Sequence, residues 1–212
     1  MRFRIVTYNV HKCRGLDRRI APERTAQVLH EVDADVIAMQ EILRVTERDP
    51  EHDQVAFIAE KLGMQHVAFG HNRPLAGGTY GNATISRLPI VGWRSYDITH
   101  ARRERRGCLR TDVKLPSGRL VHVINLHLGT GFMERRAQAQ MLMSPDLLLN
   151  AEFTAPRVVV GDFNEWTRGL TSRMLSGQFN SAELRPGQPI KRSYPGCPSC
   201  ILTTFTMTRA CG

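Results

Sequence analysis

The chain has 212 residues, of which 42% are hydrophobic, and this length and apolar content suggest one domain with a sizeable core. The first residues, MRFRIVTYNVHKC, mix charged with β-branched side chains, which argues against a signal peptide or a membrane span. An odd number of cysteines, five, argues against a disulfide framework. We therefore expect a cytoplasmic monomer without a transmembrane segment.

The net charge of +9 and the isoelectric point near 9.9 favour polyanionic partners, such as nucleic acid or anionic lipid headgroups. Only four of the 29 basic residues are lysines, and such dominance of arginine also arises in GC-rich genomes. The charge is therefore compatible with a selected polyanion-binding surface and with a compositional bias.

Strand and helix patterns alternate through the N-terminal part of the chain. Apolar periodicity predicts a strand, a helix, a strand, a helix and a strand, in that order, over residues 3–9, 22–32, 36–40, 55–62 and 65–69. The second strand is predicted to end at Glu41, and Gly63 closes the second helix. A glycine-rich stretch, residues 71–81, is then predicted to be a loop.

The C-terminal part continues the mixed order. It predicts a strand, a two-strand hairpin, a helix and a buried strand, over residues 82–86, 109–115 with 120–126, 134–149 and 158–160. Pro145 is expected to kink or restart the helix. With no internal repeat or linker, the pattern favours an α+β fold with sheets layered against helices.

Polar residues gather where the predicted strands end. Each marks an abrupt switch from an apolar run to an amide, carboxylate or imidazole: Asn9, Gln40, Glu41, Asn125, His127, Asp162 and Asn164. Strand ends open into loops, which carry functional residues disproportionately. Alone, each has an ordinary structural explanation, such as a turn former or a buried structural histidine. Together they could bind a hard cation through oxygen and stabilise a phosphate.

The segments TYNVHK, IAMQE, GTYGNATISRLPI, VINLHLG and VVVGDFNEW resemble the endonuclease/exonuclease/phosphatase superfamily in order and approximate spacing. The resemblance covers roughly residues 3–166 and is nearest to the small bacterial hydrolases of that superfamily. It implies a two-layer β-sandwich flanked by helices. It also implies a Mg²⁺- or Mn²⁺-dependent phosphoesterase, with a phosphodiester as the favoured substrate. The substrate class stays open among DNA, RNA, a lipid headgroup and a small nucleotide.

The resemblance also implies residue roles. Glu41 would be the main metal ligand with Asn9 beside it, and Asp162 would orient or deprotonate the attacking water. Asn164 would hold the scissile phosphate or the nucleophile, and His127 would donate to a phosphoryl oxygen. Tyr80 and Asn82 would line the rim of the same site.

Four arginines and one glutamate form a charged cluster at residues 102–106. These arginines could contact substrate phosphates. They could equally form a solvated loop, which is the interpretation favoured by their polarity.

The final segment departs from the family pattern. The family ends with a strand carrying an aspartate and then a Ser-Asp-His motif, whereas no histidine follows His127 in this chain. CPSCILTTFTMTRACG predicts neither feature, so the last strands are expected to be missing. Back-translated with GC-rich codons and read in the third frame, this segment gives Pro-Glu-Leu-His-Pro-Asp-His-Ile-Tyr-Tyr-Asp, which resembles the missing strand.

We therefore predict one catalytic domain over residues 1–196 and an aberrant, frameshifted tail over residues 197–212. On this hypothesis the chain as written is inactive or severely impaired. The alternatives are a natural variant with a divergent tail, and a redox or metal motif formed by Cys197 and Cys200. The rival functional class is an inactive fragment or a non-catalytic basic protein that binds nucleic acid or anionic lipid.

Overall fold

Two β-sheets and four helices are described in the computed structural model, which covers residues 3–45, 53–75, 77–165, 169–180 and the backbone of 204–207. The helices are α1 (Pro22–Val32), α2 (Gln54–Lys61), α3 (Phe132–Leu142) and α4 (Leu170–Ser176). The strands are β1 (Ile5–Asn9), β2 (Val36–Arg44), β3 (His66–Leu75), β4 (Gly78–Ser86), β5 (Ile90–Asp97), β6 (Gly107–Lys114), β7 (Leu120–His127), β8 (Arg157–Asp162) and β9 (Thr204–Met207).

Each sheet mixes parallel and antiparallel pairs. The first sheet has the order β1-β2-β4-β3, and the second has the order β5-β6-β7-β8-β9. The pairs β1–β2 and β7–β8 are parallel, while the other neighbours are antiparallel. Each sheet therefore has one parallel pair whose carboxyl ends lie side by side.

Three apolar clusters define the layers of the fold. The cluster between the sheets joins Val36 and Ala38 of β2 to Val123 of β7 and Val160 of β8. On the outer face of the first sheet, apolar residues of β1 and β2 pack with α1 and α2. On the outer face of the second sheet, β7 and β8 pack with α3 and α4. The predicted α+β sandwich flanked by helices is confirmed in this layered arrangement.

Several predicted elements are confirmed with small shifts in their ends. The predicted first helix matches α1, and the predicted hairpin is β6–β7. The loop predicted over residues 71–81 is wrong, because most of it belongs to β3 and β4. A Cβ atom at Gly81 would collide with the carbonyl oxygen of Gly70, so glycine here allows close strand pairing.

The helix predicted over residues 134–149 is too long. It ends at Leu142, three residues before Pro145, and turns follow. Proline removes a helical donor and disfavours a helical conformation in the residue before it, so the helix does not resume. Strand β5 and helix α4 were not predicted from the sequence.

The expectation that the last strands are missing is wrong for residues 204–207. These residues form β9, which pairs antiparallel with β8 in the register Val158↔Thr206. The rest of the predicted aberrant tail lies outside the described residues, including Cys197 and Cys200. In the described part of the chain no helix is both long and apolar enough to cross a membrane.

Candidate active site

The predicted site residues converge where the parallel strands of both sheets end. Asn9 is the last residue of β1 and pairs with Gln40 of β2. His127 is the last residue of β7 and pairs with Asp162, the last residue of β8. Both sheets therefore present polar side chains at the same edge of the sandwich.

Glu41 lies within β2 rather than at its end. The strand continues to Arg44, but its pairing with β4 skips from Met39↔Ala83 to Ile42↔Gly81. Glu41 thus occupies a β-bulge, and its φ of 56° places it in the left-handed region. A bulge redirects a side chain, at a backbone cost of roughly 1–3 kcal/mol for a non-glycine residue in this region.

Gly161 brings Asp162 close to His127. Its φ is 142°, and a Cβ atom here would collide with the carbonyl oxygen of Leu126 on the neighbouring strand. Glycine is therefore required for this approach of β8 to β7. Asn164 follows in a left-handed conformation with φ of 50°, and its backbone N–H donates to Asp162 Oδ1 at 2.9 Å.

Two polar strand-end residues connect the sheets instead of entering the site. Asn125 is fully buried, and its Nδ2 donates to the carbonyl oxygens of Met39 at 3.0 Å and Ala83 at 2.9 Å. Gln40 Nε2 donates to Asn125 Oδ1 at 2.7 Å and to Thr7 Oγ1 at 2.9 Å. These bonds fix the two halves of the site relative to each other.

Asn9 joins the two carboxylates of the site. Its Nδ2 donates to Glu41 Oε1 at 3.2 Å and to Asp162 Oδ2 at 2.9 Å, while its Oδ1 accepts from the backbone N–H of His11 at 3.0 Å. Carboxylates from opposite sheets therefore share one amide group. The amide oxygen would reach a cation at the carboxylates only if the side chain turned over, so the predicted ligand role of Asn9 stays a prediction.

His127 lies against the same two carboxylates and is only 2% exposed. Its Nε2 is 3.9 Å from Glu41 Oε1 and 3.8 Å from Asp162 Oδ2. Asn164 Nδ2 lies 3.2 Å from the same Nε2 and donates to the carbonyl oxygen of Leu128 at 2.7 Å. The structure thus brings together Asn9, Glu41, His127, Asp162 and Asn164.

Two pKa shifts set the charges of this cluster. Burial tends to raise the pKa of Glu41, but the positive charge that His127 carries when protonated, together with hydrogen bonds from Asn9 and Tyr80, outweighs it and lowers the pKa. Burial lowers the pKa of His127, and the Arg106 guanidinium adds to this effect against the opposing carboxylates. The site therefore holds an ionised Glu41 beside a neutral imidazole at neutral pH.

The two rim residues have different surroundings. Burial and the nearby Glu41 carboxylate raise the pKa of Tyr80 far above its ordinary value, so the phenol stays protonated and hydrogen-bonds to Glu41. Asn82 lies opposite the bulge, where its Nδ2 donates to the carbonyl oxygen of Gly107 at 2.9 Å. Asn82 therefore makes no direct hydrogen bond to the carboxylates among the described residues, and its catalytic role stays a prediction.

Basic side chains lie near Glu41 and Tyr80, and the sequence did not single them out individually. His11 Nδ1 lies 3.1 Å and Lys12 Nζ 4.0 Å from Glu41 Oε2. Lys12 and Arg73 also lie over the Tyr80 ring, at 5.4 and 4.8 Å from its centroid. The motif TYNVHK contains His11 and Lys12, but their approach depends on a left-handed turn at residues 11–13 that no sequence pattern indicated.

The arginine cluster at residues 102–106 divides into two parts. Arg102, Arg103 and Arg105 are exposed, as a solvated loop requires. Arg106 is only 7% exposed, and its Nη1 lies 3.4 Å from His127 Nδ1. Its position directly before strand β6 is the sequence signal that could have separated it from its neighbours.

The donor set fits a hard divalent cation. Glu41 and Asp162 offer carboxylate oxygens around one point, and Mg²⁺ prefers oxygen ligands and retains several waters. Among the residues that the structure describes, no group of three or more histidine, cysteine, aspartate or glutamate side chains forms a metal cluster. A cation here would therefore depend on this pair of carboxylates, completed by water or by the Asn9 oxygen.

Comparison with known sequences gives a consistent picture. Residues 6–210 match the sequence profile of the Endonuclease/Exonuclease/phosphatase family, a span that includes all the predicted site residues. The protein described as uncharacterized protein YbhP of Escherichia coli (strain K12) is 28% identical over 207 residues. That match covers 91% of this chain and 81% of the Escherichia coli protein.

Solved structures share the fold. An endonuclease/exonuclease/phosphatase from Beutenbergia cavernae DSM 12333 superimposes with a TM-score of 0.72 at 23% identity, covering 97% of this chain and 64% of that one. The mannosyl-6-phosphatase Bt3783 of Bacteroides thetaiotaomicron VPI-5482 gives 0.65 at 19% identity, with 84% and 72% covered. The human Nocturnin catalytic domain with bound sulfate gives 0.68 at 19% identity, with 96% and 81% covered. At these identities the similarity establishes the fold alone.

Proposed function

Because the chain belongs to the endonuclease/exonuclease/phosphatase family, we propose that it is a Mg²⁺- or Mn²⁺-dependent phosphoesterase that hydrolyses a phosphodiester. One observation carries the proposal. A single amide, that of Asn9, bonds to carboxylates from both sheets, and the Nε2 atom of His127 lies within 3.9 Å of each carboxylate. Such a group of oxygens and one imidazole suits a cation and a phosphoryl group together.

The metal would be held by the Glu41 carboxylate with Asp162 beside it, and Asn9 would join as a ligand only if its amide turned its oxygen toward them. When bound, it would neutralise charge on the phosphoryl oxygens and lower the pKa of water. Asn9 keeps the two carboxylates at a fixed separation, and Tyr80 donates to Glu41 from the rim. The ligand that the metal needs is thus kept ionised and oriented before substrate arrives.

The remaining side chains act on water and on the phosphoryl group. Asp162 would orient or deprotonate the attacking water, a role supported by its contacts: its Oδ1 accepts from the Asn164 backbone, and its Oδ2 faces the cluster. His127 would donate to a phosphoryl oxygen as negative charge develops there. The Asn164 amide, fixed by the carbonyl oxygen of Leu128, holds the phosphate or the nucleophile beside it.

Charge favours a diester over a monoester. A phosphate monoester carries a charge of about −1.5 to −2 at neutral pH, whereas a diester carries one charge. Two carboxylates in the site repel the dianion more strongly. The net charge of +9 supports a polyanionic substrate, DNA or RNA, or an anionic lipid headgroup. A monoester is the second candidate, because a structural neighbour is a mannosyl-6-phosphatase.

The test is turnover of bis-p-nitrophenyl phosphate, single-stranded DNA, double-stranded DNA and p-nitrophenyl phosphate, with Mg²⁺ or Mn²⁺ and with EDTA. We expect diester hydrolysis that stops in EDTA and falls roughly 10²- to 10⁴-fold in Asp162→Asn. Glu60→Gln, an exposed carboxylate on α2, is the control and should match the wild type. Turnover confined to the monoester would replace the diester assignment. No turnover on any substrate would favour the inactive or binding-only alternative.

A further inference from the structure

We propose that Arg106 is a positioning residue that holds the His127 ring in one tautomer, with its proton on Nε2, the nitrogen that faces the two carboxylates. The inference rests on the proposed function, in which His127 donates a hydrogen bond to the phosphoryl group. It concerns a residue that the family resemblance did not assign.

Arg106 is held rigidly before it reaches the histidine. Its backbone N–H donates to Thr99 Oγ1 at 3.1 Å, and its carbonyl oxygen accepts from the N–H of Ile98 at 3.0 Å. Its Nη2 pairs with Glu104 Oε2 at 3.0 Å, and Glu104 also pairs with Arg73 Nε at 3.5 Å. The guanidinium therefore has a fixed orientation, with Nη1 directed at His127 Nδ1.

Each ring nitrogen of His127 has an N–H group as a neighbour. Arg106 Nη1 lies 3.4 Å from Nδ1, and Asn164 Nδ2 lies 3.2 Å from Nε2. A neutral imidazole has one N–H donor and one acceptor, so it can accept from only one of these neighbours. A guanidinium has no acceptor atom, so an Nδ1–H group would face it without any hydrogen bond.

The hydrogen bonds that Arg106 and Asn164 could donate to the ring differ in strength, and the two donors differ in the other partners that they have. A hydrogen bond from an ionised donor is about twice as strong as one between neutral groups. Asn164 Nδ2 already donates to the carbonyl oxygen of Leu128 at 2.7 Å, whereas the buried guanidinium of Arg106 keeps its positive charge beside the ring in its ion pair with Glu104. Acceptance at Nδ1 therefore prevails, and the ring proton resides on Nε2.

This tautomer suits the proposed reaction. The Nε2 atom lies 3.9 Å from Glu41 Oε1 and 3.8 Å from Asp162 Oδ2, so its N–H group would face a phosphoryl oxygen bound next to a cation at the carboxylates. With the proton on Nδ1, the ring would offer a lone pair there and could donate nothing. A wrong tautomer of a catalytic histidine can cost up to about 10⁴-fold in rate.

The test is NMR of the full chain labelled with ¹⁵N in its histidine rings, recorded without metal or substrate. In the wild type and in Arg106→Lys, which retains a cationic donor, we expect the His127 proton on Nε2. In Arg106→Leu we expect it to shift at least partly to Nδ1, because Asn164 then donates to Nε2 unopposed. Arg105→Leu, the exposed neighbour, should match the wild type.

His122 supplies an internal reference for folding. Its Nδ1 lies 2.6 Å from Asp112 Oδ1, away from this site, so its signals should stay unchanged in every folded variant. A wild-type His127 with its proton on Nδ1 overturns the proposal, even if Arg106→Leu does not fold. An Arg106→Leu spectrum identical to the wild type also overturns it.

A kinetic arm separates this proposal from the proposed function. With the diester substrate, Arg106→Leu should lower kcat roughly tenfold or more with little change in KM, and Arg106→Lys should restore most of the rate. If NMR shows the His127 proton on Nε2 but the chain has no phosphoesterase activity, the proposed function is wrong and the effect of Arg106 on the tautomer still holds.

Discussion

The buried imidazole of His127 lies between opposing charges, and its protonation depends on which of them dominates. Burial lowers its pKa, the Arg106 guanidinium lowers it further, and Asp162 and Glu41 oppose both. The net pKa lies below the ordinary value of 6.5. A neutral ring provides one donor and one acceptor, which is the state that the proposed site requires.

This lowered pKa predicts a pH dependence of stability. The unfolded chain binds a proton at His127 near pH 6.5 and the folded chain only below that pH, so stability falls as pH decreases through this window. We expect the free energy of unfolding of the wild type to decline more steeply below pH 6.5 than that of His127→Gln. The difference should be at most about 1.4 kcal/mol per pH unit.

The measurement is urea unfolding between pH 5 and about pH 8 in EDTA, because a bound metal would change the titration. Above about pH 7 the two unfolding curves should differ by a constant amount. Parallel curves throughout the range would show that His127 titrates alike in the folded and unfolded chain.

At the scale of elements, polar residues at the ends of β1, β7 and β8 and in the bulge within β2 form the site, and the hydrogen bonds of Asn125 and Gln40 between the sheets align them. Sequence patterns predicted the end of β1, the hairpin and the buried run of β8, because apolar residues switch there to polar ones. They could not predict the bulge in β2. Gln40 and Glu41 are both polar, so the pattern is the same whichever of the two is the extra residue of the bulge. The bulge depends on pairing with β4, which is a tertiary contact.

The dependence on tertiary contacts, which sequence patterns do not show, also explains two other differences between prediction and structure. Asn125 was grouped with the strand-end residues, but it spans the sheets, and a polar residue in an apolar run does not reveal the direction of its side chain. Arg106 was grouped with an exposed cluster, because neighbouring arginines are alike in sequence and differ only in burial. The charges of the site were predictable, but the neighbours that set their pKa values were not.

The hydrogen bonds that Asn125 makes between the two sheets predict a large loss of folding stability in Asn125→Ala. Removing this amide leaves the carbonyl oxygens of Met39 and Ala83 without its hydrogen bonds and deprives Gln40 of one acceptor. Buried polar groups without partners cost roughly 1–3 kcal/mol each, so we expect about 3 kcal/mol in total. Asn180→Ala, at an exposed position, should change the free energy of unfolding by less than about 0.5 kcal/mol. A loss below about 1 kcal/mol in Asn125→Ala, measured by urea unfolding, would show that these hydrogen bonds between the sheets contribute little to stability.

At the scale of the whole molecule, the layered sandwich with helices on both faces was predictable from the family motifs and is present. The tail was less predictable. Thr204–Met207 lies in a segment that departs from the family motifs, yet its β-favouring residues alternate in polarity and its backbone pairs with the edge of β8. The frameshift hypothesis stays a prediction, and the coding DNA for residues 194–212 decides it. An open third frame encoding Ser-Asp-His would support it, and its absence would favour a divergent natural tail.

The central claim is that Glu41 and its neighbours bind a divalent cation at the junction of the two sheets. The direct measurement is calorimetric titration of Mn²⁺ into the wild type, Glu41→Gln and Glu60→Gln. Glu41→Gln removes the charge while keeping the size of the side chain, and Glu60→Gln makes the same change at an exposed position on α2. We predict one Mn²⁺ per chain in the wild type and in Glu60→Gln, and binding at least roughly tenfold weaker in Glu41→Gln, since a carboxylate is the hard ligand that such a cation requires. Equal binding by all three chains, or no binding by the wild type, would contradict the account.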